Sequence, residues 1–174
     1  MIAVPTSLPE FPSTAWFARL VEDVDRRPEV YQRLGFADCR FAIEIVDPPG
    51  PARCFGLVLD GYDIRSEGEL EDVPAFAADV VLSGPLEVWS AMVAAIAAQG
   101  SADRTQTLNA LSIAGFPLAA RSSDPLGRDK FYRYAETLQT LFDSAGAWME
   151  TGAGAVAGAG AVAAPPAPGT TGDR

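Results

Sequence analysis

The chain has 174 residues, 48% of them hydrophobic, so it is long and apolar enough to bury one core and is not a disordered protein. Its 23 acidic and 13 basic residues leave a net charge of -10, which disfavours nucleic acid and anionic membrane surfaces as partners. Because the histidine count is 0, catalytic Ser-His or Cys-His pairs and histidine zinc sites are excluded.

Two helices are predicted first. Apolar residues recur at intervals of three and four between Trp16 and Val24, and Ser13 stands where an N-cap is expected. Pro28 begins a second, short helix that ends at Gly35. The residues before them lack the features of a signal peptide, and no stretch of the chain suits a membrane helix. We therefore expect a cytoplasmic protein without integral membrane association.

Three strands follow. Polarity alternates from residue 39 to 46 and again from 53 to 59, which is typical of half-buried strands. The dipeptide Asp60-Gly61 predicts a tight hairpin into a third strand over residues 62–66.

The two cysteines, Cys39 and Cys54, lie on the first two of these strands. If Val46 pairs with Arg53 across the intervening turn, the cysteines are too far apart along the strands to form a disulfide. Two cysteines also cannot build a disulfide framework in a chain of this length, so both are expected to be reduced core residues.

Residues 60–79 carry seven acidic residues and one arginine, and therefore much of the negative charge of the chain. This acidic region has two interpretations. It is either a solvated loop and sheet edge, or a docking surface for a basic protein partner.

Two more strands and two more helices complete the prediction. Residues 76–82 are predicted as a fourth strand, and Pro85 is the expected first residue of a helix that ends at Gly100. Leu111 and Ile113 alternate in a predicted short fifth strand, which Gly115 terminates. Residues 116–123 are predicted as a connector. Asp124 and Pro125 then begin the last helix, predicted to reach residue 145.

After Glu150 the composition changes to alanine, glycine and proline. Such residues have little side chain to bury, so we expect one domain over residues 1–150 and a flexible Ala/Gly/Pro-rich tail over residues 151–174. The tail is either a tether or docking peptide, or a solvated remnant of the domain end.

No motif in the chain predicts a metal site, a cofactor or a phosphate-binding loop. The Leu82-Ser-Gly-Pro85 sequence has the position of a phosphate loop but lacks its glycines and lysine. An enzyme would need tyrosine or carboxylate chemistry alone, for example Tyr134 with Asp129. We therefore expect a protein that is not an enzyme.

Four short segments resemble the sterol carrier protein type 2 family of lipid-binding domains: Phe41-Ala-Ile-Glu-Ile, Cys54-Phe-Gly-Leu-Val-Leu, Ala78-Asp-Val-Val-Leu-Ser-Gly84 and Leu111-Ser-Ile-Ala-Gly115. The resemblance runs from Phe41 to Phe142. It implies an α+β fold in which a five-stranded, mostly antiparallel sheet is covered by helices and encloses an apolar cavity. Residues 1–150 would then be a sterol-carrier-like lipid-binding domain.

The same resemblance implies non-catalytic binding or carriage of a hydrophobic ligand, such as a fatty acid, an acyl thioester or a sterol-like lipid. An alternative is an accessory or interaction subunit of a larger complex that keeps the fold but has a filled cavity. The apolar faces of the predicted elements would line the cavity. The expected ligand-binding residues are Phe41, Phe55, Leu57, Trp89, Met92, Val93, Ile96, Phe131, Tyr134, Leu138 and Phe142.

Four basic residues, Arg121, Arg128, Lys130 and Arg133, surround the predicted start of the last helix. They would either bind an anionic head group at the cavity mouth or form an ordinary solvated helix start.

Overall fold

The computed structural model describes residues 8–47, 49–113 and 117–149. The helices are α1 (Thr14–Arg26), α2 (Pro28–Leu34), α3 (Val73–Phe76), α4 (Leu86–Gln99), α5 (Leu108–Leu111) and α6 (Pro125–Asp143). The strands are β1 (Ala37–Val46), β2 (Arg53–Gly61), β3 (Asp63–Glu69), β4 (Val80–Pro85) and β5 (Ala119–Arg121). The predicted tail from residue 151 lies outside the described residues.

The strands form one five-stranded sheet in the order β3-β2-β1-β4-β5. β1 and β4 are parallel, and every other neighbouring pair is antiparallel. The predicted α+β class with a mostly antiparallel sheet covered by helices is therefore confirmed. Among the described residues, no helix combines the length and the apolar character that a membrane span requires.

Side-chain caps fix the helix ends that the sequence predicted. Ser13 accepts a hydrogen bond from the backbone N–H of Trp16 at 3.1 Å, and Asp124 accepts one from Leu126 at 3.0 Å. Gly100 ends α4 in the left-handed conformation, with a φ of 76°. Pro85 is the N-cap of α4 rather than its first helical residue, because it still belongs to β4.

The β1–β2 register differs by one residue from the expected one: Arg53 pairs with Ile45, not with Val46. This shift decides which residues share a face, since side chains alternate along a strand. Phe41 faces Leu57 across the pair. Cys39 joins the main core, whereas Cys54 lies in a small cluster that also holds Ala42 on the other face. Both cysteines are free and buried.

The predicted strand over residues 76–82 is wrong in its first half. Instead, Phe76 is the last residue of the short helix α3. This helix forms because Asp72 caps its start by accepting a hydrogen bond from the Ala75 N–H at 2.9 Å, and because Pro74 fits its first turn. Ala77 then adopts a left-handed backbone with a φ of 51°. Only from Val80 onward is the chain a strand.

The predicted fifth strand at residues 111–113 is also wrong. Leu111 ends the helix α5, which Thr107 caps by accepting a hydrogen bond from the Ala110 N–H at 3.2 Å. The fifth strand is β5, within the predicted connector, where Arg121 pairs with Val81 of β4. Its Ala-Ala-Arg sequence is too short for an alternation of polarity, so sheet pairing defines it. The predicted end at Gly115 lies outside the described residues.

The main core lies between one face of the sheet and helices α1, α4 and α6. A smaller cluster, built around Phe76, covers part of the opposite face. α6 ends at Asp143, two residues before the predicted limit, and a further helical turn spans residues 145–149.

Candidate functional site

The expected ligand-binding residues come together in the main core. Phe41 lies on β1, Phe55 and Leu57 on β2, and the others on α4 and α6. All of them are buried except Tyr134, which is half-buried and packs against the cluster. The residues selected from the sequence therefore lie on one face of the sheet and on two helices that pack against it.

Four aromatic rings continue this core toward the N-terminal segment. Phe11 meets Trp16 edge-to-face with ring centroids 4.8 Å apart. Trp16 lies 5.8 Å from Phe142, and Phe142 stacks on Trp89 at 6.1 Å with 27° between the rings. We call Phe11, Trp16, Phe142 and Trp89 the aromatic row. Phe11 and Trp16 were not predicted as site residues, although Trp16 lies on the apolar face of α1.

A pocket of about 420 Å³ opens beside Phe11, and we call it the N-terminal pocket. Its apolar walls include Ile45, at the end of β1, and Leu86, at the start of α4. The described residues that line it are Glu10, Phe11, Pro12, Ser13, Ile45, Asp47, Arg53 and Leu86. None of the expected ligand-binding residues lines it. Phe11 is the contact between the pocket and the aromatic row.

The charges at this pocket are unequal. The guanidinium of Arg53 makes two 2.7 Å hydrogen bonds to the carboxylate of Glu69 and a 2.9 Å hydrogen bond to the carbonyl of Pro12. The bond to Arg53 lowers the pKa of Glu69. Glu10 and Asp47 are exposed, and neither has an ion-pair partner in the described part of the chain. The rim is therefore net negative.

The predicted basic group does not form one site. Lys130 lies 3.0 Å from Asp79, a hydrogen bond that raises the pKa of the lysine, and Arg121 pairs with Glu44. Arg121 lines a pocket of about 350 Å³ with Val81, on the sheet face that carries the smaller cluster. Arg128 and Arg133 are exposed on α6.

All three tryptophans of the chain have a buried indole nitrogen that finds no hydrogen-bond acceptor in the part of the chain that the structure describes: Trp16, Trp89 and Trp148. Trp148 lies 5.9 Å from Trp16, so the three indoles belong to one aromatic region. An unpaired buried donor costs about 1–3 kcal/mol, and buried indoles usually find a partner.

The nucleophile and metal chemistry of the described residues is limited. Burial, with the carboxylate of Asp79 nearby, raises the pKa of Cys39 to about 12. Burial, with Glu44 nearby, raises the pKa of Cys54 to about 11. In residues 8–47, 49–113 and 117–149, no group of three or more cysteine and acidic residues is arranged to hold a metal ion.

No protein-family model matches the chain, and no curated protein matches it in sequence. Solved structures do match. Sterol carrier protein 2 from Yarrowia lipolytica, in its apo form, is 15% identical over 82% of this chain and 98% of its own, with a TM-score of 0.45. A ubiquinone synthesis protein, UbiJ-SCP2, is 17% identical over 80% of this chain and 96% of its own, with a TM-score of 0.39.

A third structure superposes better and supports the fold. It is a conserved hypothetical protein from Thermus thermophilus, described as a candidate sterol carrier protein. It covers 80% of this chain and 92% of its own, with 14% sequence identity and a TM-score of 0.54. Its strand and helix arrangement is shared despite this low identity. The chain thus has the fold of this candidate sterol carrier protein, the fold that the short sequence segments implied.

Proposed function

We propose that the protein binds a hydrophobic small molecule and carries or presents it without catalysing a reaction. The observation that carries this proposal is the N-terminal pocket, whose apolar wall meets the aromatic row at Phe11. A pocket of about 420 Å³ is within the usual range for small-molecule sites. Each methylene group that leaves water there would contribute about 0.8 kcal/mol to binding.

The ligand would extend from this pocket toward the expected ligand-binding residues. Phe11 is half-buried, lines the pocket and is in contact with Trp16. A displacement of its ring would bring an acyl chain or a ring system against Trp16 and Phe142. Fatty acids, acyl thioesters and sterol-like lipids are the ligand classes that we propose to test, as the fold suggests.

The proposal of a non-catalytic role is supported by the state of the reactive groups. Both thiols are buried and have raised pKa values, so little of the nucleophilic thiolate forms near neutral pH. Tyr134 and Asp129, the acid-base pair weighed from the sequence, are not joined by a hydrogen bond in the described residues.

A second candidate function is that of an interaction subunit with a filled core. The close packing of Trp89, Met92 and Phe131, each 0% exposed, favours it. The acidic region would be the docking surface. Glu69 and Asp79 are engaged by basic side chains of the same chain, whereas Glu67, Glu71 and Asp72 are exposed and have no ion-pair partner among the described residues.

Mass spectrometry of lipid extracts from the purified protein, followed by a titration of the delipidated protein, distinguishes the two functions. Tryptophan fluorescence should change saturably on addition of a fatty acid or a sterol if the first is correct. Met92→Trp should then block binding, whereas Ala98→Trp, at an exposed position of the same helix, should not. If no ligand binds the parent and Met92→Trp unfolds it, the core is filled and the interaction subunit is the better interpretation.

A further inference from the structure

The three unpaired indoles indicate what kind of hydrophobic molecule would fit. A pure hydrocarbon cannot accept a hydrogen bond, so it would leave all three N–H groups as they are. An oxygen atom of a ketone, ester or ether could accept one of them. Trp16 is the best placed, because its ring contacts Phe11, which lines the N-terminal pocket.

The surroundings of the other two indoles differ. The indole nitrogen of Trp89 faces β4, 3.5 Å from the position that a Cβ atom would take at Gly84, and the side chain of Leu118 shares this space. Trp148 lies on the helical turn after α6 and does not line the pocket. Among the described residues, Trp16 is the indole that has a ring contact with a residue lining the pocket, so we take its N–H as the donor.

The negative charge at the rim of the N-terminal pocket disfavours anionic ligands. The rim carboxylates Glu10 and Asp47 have no counter-charge among the described residues, and Arg53 is held by Glu69. A carboxylate head group at this rim would be repelled, and the overall charge of -10 adds to the repulsion.

We propose that the ligand is an uncharged hydrophobic molecule with an acceptor oxygen, and that the indole N–H of Trp16 donates a hydrogen bond to this oxygen. This inference rests on the proposed binding function. It turns the unpaired buried donor into a binding determinant, since the donor gains a partner only in the complex.

The test compares three nine-carbon probes: 2-nonanone, nonane and nonanoate. Headspace gas chromatography measures how the two volatile probes partition into the protein solution, and fluorescence titration measures nonanoate. We expect 2-nonanone to bind about fivefold to tenfold more tightly than nonane, which corresponds to one hydrogen bond. Nonanoate should bind most weakly, and Glu10→Gln with Asp47→Asn should strengthen its binding. Glu67→Gln with Glu71→Gln is the matched control, because it removes the same charge from an exposed site elsewhere.

Replacement of Trp16 by 3-benzothienylalanine exchanges the N–H for sulphur in a ring of almost the same shape. It should remove the preference for the ketone, leave nonane binding unchanged and not lower the melting temperature of the free protein. The same replacement at Trp148 should keep the preference. Equal binding of ketone and nonane to the parent, or a preference that survives the change at Trp16, would overturn this inference and leave hydrophobic binding intact. A lowered melting temperature would also overturn it, since the N–H would then already have an acceptor. If none of the probes binds, the proposed function itself fails.

Discussion

Lys130 donates a 3.0 Å hydrogen bond to the carboxylate of Asp79, and this ion pair joins α6 to the residue before β4. The other oxygen of Asp79 accepts the backbone N–H of Arg40 on β1 at 2.8 Å. One carboxylate therefore holds a helix and a strand together. The positive charge of Lys130, for which the sequence left open either an anionic head group or a solvated helix start, is engaged by a carboxylate of the protein itself.

The first prediction concerns this pair. Asp79→Ala should cost about 1–3 kcal/mol of unfolding free energy, because it removes both the ion pair and the acceptor of a backbone N–H. Lys130→Ala should cost only about 0.2–1 kcal/mol, since its side chain is 31% exposed and solvent screens the pair. Urea unfolding measures both. Arg128→Ala is the control, and a cost equal to that of Lys130→Ala would contradict the assigned role of the ion pair.

The second prediction is a pH dependence at Arg53 and Glu69. Arg53 lowers the pKa of Glu69 below its ordinary value of 4.5, so the unfolded chain takes up this proton first as the pH falls. The stabilisation is present above pH 4.5 and is lost as the pH falls through the lower pKa of the folded state. The melting-temperature difference between the parent and Glu69→Gln should therefore shrink in acid. A difference that grows in acid would reverse the assigned sign.

The third prediction concerns the buried thiols. A folded-state pKa raised from 9.0 to about 12 at Cys39 means that the unfolded chain loses this proton first as the pH rises. Stability should decline above pH 9, and Cys39→Ala should reduce the steepness of that decline. Cys54→Ala should reduce it less, because the pKa of Cys54 is raised only to about 11. Neither thiol should react with a thiol reagent until the protein is unfolded; rapid reaction of the folded protein at neutral pH would show that they are accessible.

The fourth prediction tests the packing of α6 on the sheet. A Cβ atom at Gly127 would lie 2.1 Å from the backbone oxygen of Asp79 and 2.2 Å from the hydroxyl of Ser122. Gly127→Ala should therefore destabilise the protein by about 1–3 kcal/mol, although alanine is the better helix former by about 1 kcal/mol. Gly50→Ala is the control, since its Cβ would meet an ordinary contact of 3.4 Å. A stabilised Gly127→Ala protein would mean that α6 is not packed this closely.

Long or clearly signalled elements could be predicted from the sequence, and short ones could not. Ser13 and Asp124 predicted helix starts correctly, since a side-chain cap is a local interaction. The three residues of β5 and the single turns α3 and α5 have too few side chains to show a period. The β1–β2 register was missed by one residue, because a turn with several prolines does not fix which residues pair.

The core beside the candidate site was predictable from the sequence, whereas the pocket was not. The apolar faces of α4 and α6 have helical spacing, so Trp89 and Phe142 could be identified without coordinates. Phe11 is different. It precedes the first helix and has no periodic neighbours, and its place beside Trp16 depends on how the N-terminal segment packs on the core. The pocket at Phe11 is therefore a tertiary feature that no local pattern predicts.

The strand order also sets the sequence in which the sheet can assemble. β1, β2 and β3 are joined by short connections and pair antiparallel, so this three-stranded unit closes small loops. β4 pairs parallel with β1, and this contact closes a loop that contains β2 and β3. β5 pairs with β4, and the chain between these two strands contains α4 and α5. Loop-closure entropy then slows the β1–β4 contact relative to the hairpins. In a pulse-labelled hydrogen exchange experiment, the amides of β2 and β3 should become protected before those of β4 and β5.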